Sequence, residues 1–209
     1  MKIGYSSKVM ELFMHPKNVG KMEDASVTAL TGSVACGDMI KLYLKINPRT
    51  EIIENATFES YGCAANIATS SMLTELIKGK SVEEVRKIAF QEVVEDLGGL
   101  PKIKFHCAVL AVAALRLALE KWDHLRGRKE LNEDFVKNML RGILDPHTER
   151  DLIAARAVNS IIIKGSEIRV YLSIPQDEFT EEIVSSIMEV FETLPVKVGI
   201  FLGGEEVAL

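Results

Sequence analysis

Cysteine is scarce in this sequence, with three among 209 residues, and no two of them lie close together. An odd count without a close pair argues against a disulfide framework and predicts a reducing, cytoplasmic setting. Long apolar runs are missing as well. The longest, residues 107–115, is too short to cross a bilayer, and the N-terminus lacks the apolar core of a secretory signal. The sequence therefore predicts neither secretion nor a membrane span.

An excess of positive charge is also absent. The formal net charge is −5 and the sequence pI is near 5.5, which does not favour a nucleic-acid-binding surface. Hydrophobic residues make up 47% and charged residues 26%, the usual balance of a soluble globular protein. A length of 209 residues allows one large domain or two small ones.

The first half of the chain predicts an α+β domain built on a three-stranded antiparallel sheet with packed helices. Apolar and polar residues alternate over residues 38–47, the period of a half-buried strand, and residues 26–35 and 52–60 flank it as further strands. Helix patterns cover residues 6–14 and 64–78, a further helix pattern follows Cys107 and ends near Trp122, and a capping box at Ser81 opens another short helix.

The second half predicts a small α/β domain. Residues 123–130 are polar and contain a glycine, so we place the boundary there, between domains of residues 1–124 and 125–209. Asn132 is a candidate helix cap, and strand patterns at 157–164, 168–174 and 196–202 accompany a helix pattern at 181–194. His15 and His147 lie beside prolines at turns, where a surface or capping role is expected.

The three cysteines, Cys36, Cys63 and Cys107, each lie at a break between predicted elements. Their wide spacing is a weak metal signal, because a free cysteine is often a small buried hydrophobe. Cys63 and Cys107 precede predicted helices, whose free N–H groups would lower the thiol pKa and favour the metal-binding thiolate. Gly37 and Asp38 place Cys36 in a turn. Three sulfur ligands with one Asp or His fit four-coordinate zinc or a 2Fe–2S cluster.

Five segments carry a resemblance to a known family. They are HPKNVG (15–20), ACGD (35–38), YGCAANIATSSMLTE (61–75), KGKS (78–81) and LPKIKFHCAVLA (100–111). In this order and at this spacing, residues 1 to about 124 resemble the IscU-type iron–sulfur scaffold, which is also found as the N-terminal part of NifU. The combination is highly specific, whereas any single segment is not.

The resemblance implies a set of ligands. Cys36, Cys63 and Cys107 would hold a nascent 2Fe–2S cluster, or zinc in its place. Asp38 would control the lability of the cluster and could bind zinc, and His106 would serve as an alternative ligand.

The resemblance also implies partners. Cys107 would accept persulfide sulfur from a cysteine desulfurase, Lys104 matches the family lysine near that cysteine, and the finished cluster would pass to apo-proteins. The chaperone-binding segment LPPVK of the family reads LPKIK here, with Lys102 in place of the second proline, so recognition by a dedicated chaperone pair stays open.

Residues 130–209 resemble, less specifically, the small α/β domain of SufT-type cluster-assembly proteins. The basis is a predicted helix, the segment LDPHTERDLI (144–153) and the elements that follow it. That domain often carries a cysteine near its proline, but Gln176 and Asp177 follow Pro175 here, so it supplies no thiolate. We interpret it as a docking or dimerisation module, with a homo-oligomer as an open alternative. Val112 and Ala113 make the helix after Cys107 apolar nearly all round, and we expect this domain or a second subunit to cover it.

The sequence leaves three candidate functions. The first is a non-enzymatic scaffold that builds and hands on a 2Fe–2S cluster. The second is a zinc-dependent sulfurtransferase in which Cys107 relays persulfide. The third is a protein in which zinc only ties the sheet to its helices.

Overall fold

The structure is a computed structural model in which the described residues are 4–33, 35 and 37–207; Cys36 therefore lies outside them. The N-terminal unit (residues 4–125) contains α1 (Ser7–Met14), β1 (Val27–Ser33), β2 (Asp38–Ile46), β3 (Ile53–Tyr61), α2 (Ala64–Ile77), α3 (Val82–Val85), α4 (Phe90–Asp96) and α5 (Phe105–Leu125). The C-terminal unit (residues 132–207) contains α6 (Glu133–Leu140), β4 (Leu144–Asp145), β5 (Arg150–Asp151), β6 (Val158–Lys164), β7 (Glu167–Leu172), α7 (Thr180–Val190), β8 (Lys197–Leu202) and β9 (Glu205–Glu206).

The N-terminal sheet confirms the predicted α+β class. In the described part of the chain β1, β2 and β3 form a three-stranded antiparallel sheet with β2 at its centre. Alternate residues of β2 are buried in one core with residues of α2 and α5, because a strand turns every second side chain to the same face. These residues are Ile40, Leu42, Leu44 and Ile46.

Local capping signals explain where several helices begin. Ser6 accepts a hydrogen bond from the backbone N–H of Val9, and Asn132 accepts one from Phe135. Ser81 forms the predicted capping box with α3. The sequence analysis missed α4, since Ala89 precedes it and offers no capping oxygen of its own.

The start of α5 corrects one prediction. Pro101 leads into a 3₁₀ turn at Lys102–Lys104, and α5 begins directly after it at Phe105. Cys107 therefore lies inside the first turn of α5 and does not precede the helix. This register turns the Cys107 side chain toward the interior, where it is 0% exposed.

The C-terminal unit is a mixed sheet packed against two helices. Its strands follow the order β6-β7-β8-β9, with β7 and β8 parallel and the other neighbours antiparallel. A parallel pair needs a long crossover, and α7 provides it. Residues of α6, α7, β7 and β8 fill one hydrophobic cluster.

The two units share a packed interface. Leu30 of β1 belongs to the C-terminal hydrophobic cluster, and Leu117 and Leu125 of α5 pack against the same cluster. The Lys41 ammonium group of β2 pairs with Glu189 at 3.1 Å and Glu192 at 3.0 Å, on or next to α7. The sheet is thus covered on both faces. The domain boundary at residues 123–130 stays a prediction, since the end of α5 contacts both hydrophobic clusters.

We expected the C-terminal domain or a second subunit to cover the apolar surface of α5, and the structure bears this out in part. Val112 is 4% exposed but lies in the core of its own N-terminal unit. Ala113, half-buried, lines a cavity of about 860 Å³ together with Arg116 of α5, Phe90 of α4 and Arg141 after α6. The C-terminal unit instead covers the α5 stripe of Leu117, Lys121 and Leu125, which are one helical turn apart. None of the described helices has the length and apolarity needed to span a bilayer.

Candidate metal centre

Cys63 caps the N-terminus of α2. Its backbone is extended, with φ −78° and ψ 169°, as is usual for the residue that begins a helix. The side chain is half-buried, and the backbone N–H groups of Asn66 and Ala65 at the start of α2 help to lower the pKa of its thiol. A helix N-terminus is a favourable place for an anionic sulfur.

Cys107 reaches the same place from the first turn of α5. Its Sγ atom lies 3.7 Å from Cys63 Sγ, although 44 residues separate the two cysteines. The packing of α2 and α5 on the same side of the sheet brings their N-terminal ends together. Two of the three predicted sulfur ligands therefore meet. The third, Cys36, lies outside the described residues.

Asp38 and His106 complete the group. Asp38 begins β2 and His106 is the second residue of α5, and Asp38 Oδ2 lies 3.1 Å from His106 Nε2. Donor atoms of Asp38, His106 and Cys107 all lie within 4.8 Å of one another, which is close enough to share one metal ion. Asp38 Oδ1 also accepts a hydrogen bond from the backbone N–H of Cys63 at 3.3 Å.

Gly62 is the residue that permits this arrangement. A Cβ atom there would lie 2.3 Å from Asp38 Oδ1 and 2.6 Å from Asn66 Nδ2, and the residue has φ +154°. The Asn66 side chain is buried and donates to Ser60 Oγ at 3.2 Å and Tyr61 O at 3.2 Å. The end of β3 is thus held close to both Asp38 and α2.

The two thiols have opposite acidities. The hydrogen bond from Cys107 lowers the pKa of Cys63 to about 5; burial opposes this shift and backbone N–H groups of α2 assist it. The hydrogen bond to Cys63, together with burial and the nearby negative charges, raises the pKa of Cys107. The prediction that both thiols would be acidified is therefore wrong for Cys107, because one proton is shared between two adjacent sulfurs.

Lys104 lies beside Cys63. Burial by itself would lower the pKa of Lys104, but the Cys63 sulfur close to it raises that pKa overall, and Cys107 contributes less. Lys104, which matches the family lysine near Cys107, thus interacts chiefly with Cys63.

Tyr5 is a neighbour that the sequence analysis missed. Burial raises its pKa, and the charges of Cys63, Cys107 and Asp38 add to the shift. No sequence signal indicated Tyr5, since only the folding back of the N-terminal segment brings it to the group.

The donor set suits zinc or iron. Thiolate sulfur and imidazole nitrogen bind these metals, and a carboxylate oxygen completes a mixed four-coordinate set. Asp38 and His106 retain 24% and 53% of their side-chain exposure, so the group opens to solvent on one side. A metal or cluster held there would be accessible to another protein.

Comparison with known proteins agrees with both resemblances. The family described as "NifU-like N terminal domain" matches residues 4–129, and the family described as "Iron-sulfur cluster assembly protein" matches residues 133–200. The chain is 45% identical over 150 residues to the "Iron-sulfur cluster assembly scaffold protein IscU 1" of Archaeoglobus fulgidus, a match that covers 69% of this chain and 97% of that protein.

Two further proteins are similar to parts of this chain. The "Nitrogen fixation protein NifU" of Azotobacter chroococcum is 38% identical over 160 residues, which cover 75% of this chain and 50% of that protein. The crystal structure of a NifU-like protein (N-terminal) from Brucella abortus matches with a TM-score of 0.43 and 18% identity, over 55% of this chain and 90% of that one.

Proposed function

This chain belongs to the family of NifU-like N-terminal domains and is a scaffold for iron–sulfur cluster assembly, and we propose that it builds a 2Fe–2S cluster on Cys36, Cys63 and Cys107. Asp38 or His106 supplies the fourth ligand. The observation that supports this proposal most directly is the 3.7 Å separation of the Cys63 and Cys107 sulfurs beside Asp38 and His106.

The cluster is the cargo of this protein. A set of three thiolates with one carboxylate or imidazole binds a cluster less firmly than four thiolates do, which suits release to an apo-protein. The solvent-facing side of the group, formed by Asp38 and His106, gives an acceptor protein direct access. The protein itself binds and releases, so no catalytic turnover is part of the proposal.

Sulfur enters from a cysteine desulfurase that carries a persulfide. Cys107, assigned as acceptor by the family resemblance, is fully buried, whereas Cys63 is half-buried and 3.7 Å away. In our proposal the Cys63 thiolate attacks the outer persulfide sulfur, the S–S bond breaks, and the desulfurase cysteine leaves as a thiolate. Cys107, once deprotonated, then attacks the outer sulfur on Cys63 and becomes the persulfide, while Cys63 leaves as a thiolate.

Anaerobic reconstitution tests the proposed function. The full chain is incubated with ferrous iron, cysteine and a cysteine desulfurase, and the visible spectrum is followed before and after addition of an apo-ferredoxin. We expect a 2Fe–2S chromophore that moves to the ferredoxin, and its loss in Cys36→Ala, Cys63→Ala and Cys107→Ala variants that still fold.

Other outcomes of this experiment favour the other candidates. Zinc that is retained through repeated sulfur turnover, without a chromophore, indicates a sulfurtransferase. Unfolding on chelation, with no sulfur chemistry, indicates a zinc that serves only the fold. Either result would overturn the scaffold proposal.

A further inference from the structure

A groove with a volume of about 860 Å³ lies between the two units, along one side of α5. Its floor is one face of α5, on which Arg116 and Glu120 lie two and three turns beyond Val109. At about 1.5 Å per residue this floor is about 16 Å long. One wall is the start of α4 with residues 89–91, and the other is formed by residues between 138 and 144 of the C-terminal unit.

Backbone contacts hold the C-terminal wall of the groove in place. The N–H of Gly32 in β1 donates to the carbonyl of Gly142 at 2.7 Å, and Gly32 forms a parallel β-bridge with Ile143. The approach is close, since a Cβ on Gly142 would lie 2.5 Å from Leu30 O. The groove is therefore preformed, and a ligand does not have to order its walls before it binds.

The groove carries positive charge that no described residue neutralises. The Arg116 and Arg141 side chains line it, are exposed, and form no ion pair or hydrogen bond within the described part of the chain. Glu120 is the one carboxylate among the described lining residues, and it is already engaged by the Lys129 ammonium group and by Asn138 Nδ2, which donates at 3.0 Å. Two unpaired guanidinium groups therefore flank an apolar floor, in a chain whose formal net charge is −5.

We propose that this groove binds an acidic amphipathic helix of a partner protein. A helix fits the elongated shape, and its apolar face packs on Val109 and Ala113 of the floor. Carboxylates beside that face pair with Arg116 and Arg141, since a guanidinium group can donate two parallel hydrogen bonds to one carboxylate. The proposal goes beyond cluster assembly and does not depend on it, because binding requires only the two folded units.

A second copy of this chain does not supply such a helix in its folded state. The described helices with acidic residues in their first turn are α3, α4, α6 and α7. Each of them buries apolar residues in one of the two hydrophobic clusters of its own chain. The partner is therefore a different protein, and its acidic helix is exposed before it binds.

The groove begins close to the candidate metal centre. Val109 is 47% exposed and comes two residues after Cys107 on α5, so along the helix axis the groove starts about 3 Å beyond that cysteine. A partner in the groove is thus held next to the centre. The walls come from both units, so neither unit alone provides the site.

Peptide selection on the metal-free full chain tests the groove. The probe is a displayed library of amphipathic helices of about 14 residues, with leucine on one face and Glu, Lys, Gln or Ala varied elsewhere. A selected peptide is labelled, and its Kd is measured by fluorescence anisotropy. The variants are Arg116→Ala, Arg141→Ala and Ala113→Trp, of which the last fills the groove without changing its charge. Arg150→Ala is the matched control, because Arg150 is exposed in the C-terminal unit and does not line the groove.

We expect the selected peptides to be enriched in glutamate and their affinity to fall as the ionic strength rises. Each arginine substitution in the groove should weaken binding about two- to fivefold, the scale of one exposed ion pair, whereas Arg150→Ala should match wild type. Ala113→Trp should abolish binding. Enrichment of lysine, or of no sequence, would overturn the proposal, as would groove arginine variants that bind like Arg150→Ala. Urea unfolding checks that each variant is folded, and the two arginine variants decide the result if Ala113→Trp is not.

Discussion

The Sγ atoms of Cys63 and Cys107 lie 3.7 Å apart, and they do not share the same exposure. Cys63 is half-buried at the start of α2, whereas Cys107 is fully enclosed in the first turn of α5. The pair is therefore asymmetric before any metal arrives. The Cys63 sulfur is therefore accessible to reagents in solution, whereas the Cys107 sulfur is enclosed behind it.

This asymmetry predicts unequal thiol reactivity. In metal-free protein Cys63 should be alkylated by iodoacetamide on the order of tenfold faster than Cys107, because reaction at a buried thiol requires local opening. Mass spectrometry of tryptic peptides over a time course measures both rates in one sample. Labelling after denaturation in urea, where both thiols are exposed, is the control. Faster labelling of Cys107 would contradict the proposed order of sulfur entry.

Removal of the Asp38 carboxylate should prolong the life of a bound cluster. Asp38 Oδ2 lies 3.1 Å from His106 Nε2, so its loss frees an imidazole nitrogen, a better ligand for iron than carboxylate oxygen. We expect the reconstituted cluster in Asp38→Ala to persist on the order of tenfold longer, measured by the decay of its visible absorbance in air. Asp38→Asn, which keeps an oxygen for the Cys63 N–H, is the matched control for loop geometry. A shorter-lived cluster in both variants would refute this role of Asp38.

The substitution Gly62→Ala should disturb the candidate metal centre more than the same substitution at a glycine elsewhere in the chain. The new Cβ would meet Asp38 Oδ1 at 2.3 Å, and the backbone φ is +154°. We expect a loss of about 1–3 kcal/mol in the free energy of unfolding, together with loss of zinc binding. Gly79→Ala is the control, since Gly79 has φ +79° but no atom within 4 Å of its Cβ position. Urea titration and a chromogenic zinc assay compare the two; intact zinc binding in Gly62→Ala would contradict the prediction.

Lys121→Met should stabilise the protein. Lys121 is 1% exposed between the two units, and its Nζ has no hydrogen-bond partner among the described residues. Burial lowers the pKa of Lys121 to about 7. The charge of Glu192 opposes this shift, and the charge of Lys41 adds to it. Removing an unsatisfied buried amine should add about 1–3 kcal/mol to the free energy of unfolding.

The lowered pKa of Lys121 also predicts that the stability of the protein depends on pH. Between about pH 7 and about pH 10 the unfolded chain binds a proton at Lys121 that the folded chain does not. Wild-type stability should therefore rise with pH across this window, by at most about 1.4 kcal/mol per pH unit from this group, relative to Lys121→Met. Urea unfolding at several pH values measures the difference in slope. Parallel pH curves for the two proteins would contradict it.

His147 links two parts of the C-terminal unit through charge. Its Nδ1 lies 2.9 Å from Asp145 Oδ1 and its Nε2 lies 2.6 Å from Asp177 Oδ2, a pair of contacts that needs the doubly protonated ring. The hydrogen bonds that His147 donates to Asp177 and then to Asp145 raise the pKa of His147. Its contribution to stability is complete below the unfolded pKa of about 6.5 and is lost as the pH rises through the higher folded pKa.

His147→Gln should therefore lower the urea midpoint at pH 5.5 and leave it close to wild type at high pH. His15→Gln is the control, since the His15 side chain makes no hydrogen bond to the described residues and is exposed. A midpoint difference that does not depend on pH would show that the histidine acts through packing alone.

Much of the N-terminal unit followed from local sequence. The alternation in β2 and the cap at Ser81, like the Asn132 cap in the C-terminal unit, are set by neighbours within four residues, so periodicity and capping chemistry predict them. By contrast, the sequence did not predict α4, because Ala89 before it carries no capping group. The predicted start of α5 was wrong because alternation of apolar and polar residues does not indicate the 3₁₀ turn at Lys102–Lys104.

The sequence by itself determined the α+β class, the family and the residue types that would bind a metal, because strand period, helix caps and short motifs are local properties. Only the tertiary structure decided that Cys63 and Cys107 differ in exposure and acidity, that Lys121 is buried without a partner among the described residues, and that Arg116 and Arg141 line one groove between the two units. Each of these depends on distances between groups far apart along the chain, which packing of the two units fixes and no local pattern records.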